Sequence, residues 1–181
     1  MTSDPRGPAP RPHADPDLAA LVARPAGPAD LGPLSHLWQL FRHDMSDVDG
    51  ALPDAAGRFR DERLRAVFTE PARQAWLLEA GSRPVGLAVV RSLDGPAPVL
   101  SAFFVVRAAR RRGAGRDFAA QVLGATPGRW EIPFQEANRP AAAFWRRLAE
   151  DLAPGRWTLD LRTVPGRPDL PPDAWITLPV R

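Results

Sequence analysis

The run from Leu100 to Phe118, LSAFFVVRAARRRGAGRDF, constrains this chain more than any other stretch. It opens as a β-run, SAFFVV, and passes through an arginine-rich turn. It closes on Gly113-Ala114-Gly115 and enters a helix. A strand that ends in a glycine turn at a helix start offers unpaired backbone N–H groups to an anion. Arginines alongside add charge-assisted contacts to phosphate oxygens. Gly113 and Gly115 also suit a turn that needs positive φ. The stretch therefore implies a ligand with phosphates, held beyond the end of a strand.

Composition narrows what can surround that turn. A chain of 181 residues fits one domain with a sizeable core. It has no cysteine, so disulfides, thiol nucleophiles and Cys-based metal sites are excluded, and no metal is expected. It has no tyrosine, hence no phenolic acid, and only three histidines, at 13, 36 and 43. All basic residues are arginine, whose pKa lies above about 12. That accounts for a sequence pI near 11.0 at a net charge of only +3. Such a balance does not point to a nucleic-acid binder. The N-terminus lacks an apolar signal core, and no apolar run approaches the roughly 18 residues of a membrane span. A cytoplasmic protein without a membrane partner is the expectation.

In chain order, residues 1–16 read as a disordered Pro-rich tail and 17–181 as a single domain. Leu18 to Arg24 is a first strand. Asp30 is placed to cap a helix from Leu31 to Arg42, whose Leu34, Leu37, Trp38 and Phe41 keep helical spacing. A polar, acidic loop follows, then a second helix from Arg58 to Phe68. Gln74–Glu79 and Pro84–Val90 read as strands around an Ala80–Arg83 hairpin turn. After the opening strand come a helix over Arg116–Leu123, a strand over Trp130–Gln135 and a helix over Ala141–Asp151. Trp157–Val164 and Ala174–Val180 complete the chain as strands. The order β-α-α-β-β-β-α-β-α-β-β describes antiparallel strands followed by a strand–helix–strand crossover at the glycine turn. Ligands of such sheets sit beyond the carboxyl ends of strands.

The run resembles the acyl-coenzyme A motif of the GCN5-related N-acetyltransferase (GNAT) superfamily. The family pattern R/Q-x-x-G-x-G/A stands here as Arg110, Gly113 and Gly115, after the apolar strand Phe104-Val105-Val106. Downstream, Asn138-Arg139-Pro140-Ala141 with Phe144-Trp145 resembles the family's N-x-x-A-x-x-x-Y stretch. The resemblance spans roughly Leu18 to Leu161. It implies an α/β (α+β) fold: a mixed, mostly antiparallel twisted sheet of about seven strands flanked by about four helices. It implies acetyl-CoA as donor and a primary amine of a small molecule as acceptor, joined by direct attack with both bound. Arg110, Arg111, Arg112, Gly113, Ala114, Gly115 and Arg116 would cradle the pyrophosphate. Backbone groups of Phe104, Val105 and Val106 would pair with the pantetheine arm like an added strand, and one N–H there would polarise the thioester carbonyl. Asn138 and Phe144 would touch the cofactor, while Asn138 alternatively only caps the following helix.

Two positions depart from the pattern. Trp145 stands where the family often has its tyrosine acid, and an indole N–H has no usable acidity. The opening strand, Val99-Leu100-Ser101-Ala102, also lacks the glutamate of histone-type members. Candidate bases are Glu131, Glu136, His43 and Asp44, none singled out by spacing, with structural or surface roles as the alternative for each. The acidic stretch with His43, Asp44, Asp47, Asp49, Asp54 and Asp61 suits a cationic amine, or is simply a solvated loop. Two other functions stay open: acyl or aminoacyl transfer from a carrier protein or charged tRNA, the one case with a nucleic-acid partner, and a non-catalytic CoA-binding regulatory domain. A monomer or a homodimer is compatible with the sequence.

Overall fold

The computed structural model describes residues 20–110 and 113–181; the Pro-rich segment 1–16, Leu18, Arg111 and Arg112 lie outside them. Seven strands form one sheet in the order β1-β2-β3-β4-β5-β7-β6. They are β1 (Leu21–Pro25), β2 (Gln74–Ala80), β3 (Arg83–Arg91), β4 (Val99–Val105), β5 (Gly128–Phe134), β6 (Thr158–Arg162) and β7 (Asp173–Val180). Every neighbouring pair is antiparallel except β4 and β5, which run parallel across the crossover helix. The helices are α1 (Leu31–Asp49), α2 (Glu62–Arg65), α3 (Ala114–Gly124) and α4 (Arg139–Leu152). The expected fold class stands.

The two faces of the sheet are covered unequally. Phe118, Val122 and Leu123 of α3 and Trp145 and Leu148 of α4 pack on one face, against Leu100, Trp130, Ile132 and Ile176. On the other, the apolar stripe of α1 (Leu34, Leu37, Trp38) and Leu64 of α2 bury Leu77, Leu87, Val89, Ala102 and Phe104. That second layer ends over β4. Beyond it Glu131, Pro133, Trp175 and Thr177 are only half-buried. Strand alternation thus sends Phe104 to the α1 side and Phe103 to the α3–α4 side. Gly86 of β3 lies at the tightest crossing: an added Cβ would sit 2.8 Å from the Phe104 carbonyl oxygen and 3.2 Å from Leu78 Cβ.

Helix α1 runs to Asp49, well past the expected end at Arg42. Met45 and Val48 continue the stripe from Phe41, and Gly50, at φ +66°, ends the helix in the left-handed conformation. His43 and Asp44 are therefore mid-helix, not in a junction. The second helix is shorter than expected. It is one α turn, Glu62–Arg65, continued as a 3-10 turn, Ala66–Phe68. Side chains of α1 explain why: the Gln39 amide bonds both backbone groups of Phe59, at 2.7 and 3.0 Å, and the Trp38 indole donates to the Arg60 carbonyl at 2.7 Å. Those backbone groups are taken from any helix.

Candidate active site

Strands β4 and β5 share a single rung, Val99 opposite Glu131, beside a bond of 3.0 Å from the Glu131 N–H to the Pro98 carbonyl. Beyond it the strands part and a cleft of about 540 Å³ opens. Leu100, Ser101, Ala102 and Phe103 line one wall, Pro133, Phe134 and Gln135 the other. The β3–β4 register shifts so that Ser101 has no partner residue; its hydroxyl donates to the Val89 carbonyl at 3.0 Å. This bulge bends β4 where the cleft begins.

Backbone alternation decides which groups face the gap. The Val106 N–H donates to the Val85 carbonyl at 2.8 Å, and the Phe104 carbonyl lies over Gly86. Both therefore point at β3, which corrects the expectation that Phe104, Val105 and Val106 all offer an edge to a ligand. The open edge belongs to Phe103 and Val105. The Val105 carbonyl already accepts from Arg110 Nε at 2.7 Å.

Past this edge the chain turns through Arg107–Ala109 and reaches Gly113 at φ +83°, the N-cap of α3. The cap carries no side-chain hydrogen bond, and the first amide with an intrahelical partner is that of Asp117, bonded to the Gly113 carbonyl at 3.0 Å. Among the described residues, the N–H groups of Ala114, Gly115 and Arg116 have no hydrogen-bond partner, and they stand at the positive end of a helix. A Cβ on Gly115 would meet Phe144 at 3.6 Å, ordinary contact. Phe144 also stacks on Phe103 at 5.9 Å and sits edge-on to Trp145 at 4.7 Å, so one aromatic cluster supports strand edge and helix start together.

The described arginines around the turn are held in ion pairs. Arg110 and Arg107 both pair with Asp44 of α1, and Arg110 also lies 5.4 Å from the centre of the Phe104 ring. Burial pushes the Asp44 carboxyl up, but the two guanidinium groups outweigh it and hold it below the usual range. That makes Asp44 a weaker base than an ordinary carboxylate. Arg116 is tied to Asp151 of α4 at 2.9 Å. Asn138 caps α4, accepting from the Ala141 N–H at 3.2 Å, and its amide nitrogen reaches Met45 Sδ at 3.7 Å across the cleft. The cap and the cleft position coexist.

The other expected bases lie elsewhere. Glu131 pairs with Arg162 at 3.0 Å on the far strands, Glu136 pairs with Arg146 of α4, and His43 is exposed on α1. None of the three lines the cleft. Asp173, at the start of β7, does. Burial raises its pKa above the ordinary carboxylate range, with Arg63 opposing, and its carboxylate has no hydrogen-bond or ion-pair partner among the described residues. Nothing in the sequence marked Asp173, which follows two prolines and is brought to the cleft only by sheet order.

The acidic stretch also reads differently once folded. Besides Asp44, Asp49 pairs with Arg42, Asp61 with Arg65, and Asp54 accepts backbone N–H bonds from Ala56 and Arg58. The cleft wall there is lined instead by Arg42, Arg60, Glu62 and Arg63. Among the described residues, no cluster of three or more His, Asp or Glu is placed to hold a metal ion, and no helix is long and apolar enough to cross a membrane.

A model of the Acetyltransferase (GNAT) family matches residues 34–149, more than half of the chain. The chain belongs to this family. No curated protein matches it. An acetyltransferase from Thermus thermophilus is similar over 88% of this chain and 97% of its own, at TM-score 0.62 and 22% identity. Spermidine N-acetyltransferase from Vibrio cholerae, solved with CoA and spermine, reaches TM-score 0.63 at 10% identity, covering 89% and 96%. A GNAT acetyltransferase from Elizabethkingia anophelis with acetyl-CoA bound reaches 0.60 at 11%, covering 88% and 98%. At such identities the likeness is one of fold.

Proposed function

We propose that this GNAT protein moves the acetyl group of acetyl-CoA to a primary amine of a small molecule by direct attack, with both substrates bound. The observation that carries the reading is the parting of β4 from β5 at one rung, directly before an uncapped helix N-terminus. An elongated thiol ester with a pyrophosphate matches that pair of features. The amides of Ala114, Gly115 and Arg116 would hold the pyrophosphate, and the Phe103 and Val105 edge the pantetheine arm. The residues fit such a ligand, because Gly113 keeps side-chain atoms away from those amides.

The donor supplies an activated carbonyl and a thiol leaving group. Asp173 takes the ammonium proton, leaving the amine lone pair free to attack. The Phe103 N–H, on the open edge, polarises the carbonyl. As the C–N bond forms, the C–S bond breaks; the second N–H proton of the attacking amine passes through water to the thiolate, since the Trp145 indole cannot provide one. Calorimetry with acetyl-CoA, followed by thiol release across an amine panel, tests the reading. Micromolar binding with turnover that falls in Asp173→Asn is expected. Absence of binding at millimolar acetyl-CoA overturns it, and binding without turnover favours a regulatory CoA-binding domain.

A further inference from the structure

The acceptor wall is built from opposite charges that do not pair with each other. Arg63 and Asp173 line the same cleft, yet no ion pair joins them. Arg60 and Glu62, on the same wall, are also without ion-pair partners among the described residues, whereas Arg42 is matched by Asp49. Arg63 does not act alone: with Arg73 it bears on the half-buried Arg91, whose pKa is lowered by burial and by these two cations. Arg91 in turn lies 5.8 Å from the centre of the Trp175 ring, on the sheet face that α1 and α2 leave uncovered. The cleft thus presents a carboxylate at β7 and an excess of guanidinium groups opposite it. Polycations are poor partners for such a wall. An amine flanked by an oxyanion matches both signs, because guanidinium groups bind carboxylates through paired N–H donors.

We propose that the acceptor is a zwitterion, an amine that also carries a carboxylate, with Arg63 and Arg60 holding the carboxylate while Asp173 receives the ammonium. This rests on the acetyl-transfer reading above. It replaces the purely cationic acceptor that the acidic stretch of sequence suggested. Arg63 acts here as a specificity-determining residue, and its loss shows in KM more than in kcat.

The test uses the full chain and matched probes: α- and ω-amino acids of two to six carbons, the carboxamide of each, and the diamine of each length. Thiol release gives kcat and KM for wild type, Arg63→Gln and, as a control away from the cleft, Arg167→Gln. At the favoured length, kcat/KM for the amino acid should exceed that for its amide and diamine by about tenfold or more, the loss expected when a charged group is left unmatched. Arg63→Gln should remove most of that preference through KM, with Arg167→Gln unchanged. Amides or diamines as good as amino acids at every length, or an Arg63→Gln variant with the same preference, overturn the proposal. Ligand-observed NMR of the same probes reads the charge preference without turnover. If acetyl-CoA itself does not bind, the donor reading fails, and the NMR arm still decides this one: amino acids binding no better than their amides refute it.

Discussion

The two ends of the cleft are made of different material. On the function proposed above, the donor end is backbone: the open edge of β4 and the first amides of α3, aligned by glycine and supported by an aromatic cluster. The acceptor end is side chain: Arg60 and Arg63, before and within α2, and Asp173 from β7. A backbone site is set by local conformation, so it depends on a few contiguous residues. A side-chain site is set by which distant segments the fold brings together, so it changes without altering the fold.

The largest expected effect falls on the acceptor end. Asp173→Asn should lower kcat by about 10²- to 10⁴-fold, the usual worth of a general base, with acetyl-CoA affinity unchanged. A base acts deprotonated and burial raises the Asp173 pKa, so on this reading wild-type kcat/KM should climb with pH through that raised pKa. The variant should lose this limb; a retained limb would assign it to another group. At the donor end, Gly113→Glu puts a side chain at φ +83° and a carboxylate before the cradle amides. Acetyl-CoA affinity should drop about 100-fold in calorimetry, with a strain cost of about 1–3 kcal/mol visible in Tm. Equal damage to acceptor affinity at saturating acetyl-CoA would break the division between the two ends.

Smaller effects test the frame that both ends share. Gly86→Ala drives a Cβ against the Phe104 carbonyl and should cost about 1–3 kcal/mol by thermal or denaturant unfolding. Gly115→Ala meets only the Phe144 ring at ordinary contact distance and should fold as wild type. The smallest effect concerns β1, far from the cleft. There Arg24 bridges Asp30 and Glu79 at 2.8 and 2.9 Å, and its hydrogen bonds, with the Gly27 amide, pull the Asp30 pKa down to about 2. A carboxyl of lowered pKa stabilises the fold above its unfolded pKa of about 4, and that contribution fades as pH falls toward about 2. Hydrogen exchange of the β1 amides should accelerate in that window while the cleft strands stay protected.

Sequence reading reached the strand, turn and helix start around Gly113 because a left-handed glycine, a helix start and an apolar strand all lie within one short segment. The aromatic partner Phe144 and the cap Asn138 came from the second motif. What stayed hidden has physical causes. The length of α1 was masked by polar residues that face solvent while Met45 and Val48 carry the stripe. Arg58–Arg60 look helical until Gln39 and Trp38 claim their backbone groups. Open-edge assignment needs the strand register, which follows from the bulge at Ser101 and not from composition. Asp173 and Arg63 lie more than a hundred residues apart in the chain, and the pairing of β7 with β5 places the first of them beside the gap. Acidity from Asp44 to Asp61 suggested a cation site, but ion pairs with Arg42, Arg65, Arg107 and Arg110 consume most of it.

The bond from Arg110 to the Val105 carbonyl has a consequence for solubility. Where β4 parts from β5, the sheet exposes an edge in its middle, and an unpaired edge is a template on which another chain can add a strand. Arg110 occupies the last outward carbonyl of that edge with a charged group held in place by Asp44. Only the groups around Phe103 and the Val105 N–H are left, too short a ladder for an intruding strand. With that carbonyl blocked, strand addition is expected to be hindered, and releasing Arg110 by Asp44→Ala should show first as concentration-dependent light scattering.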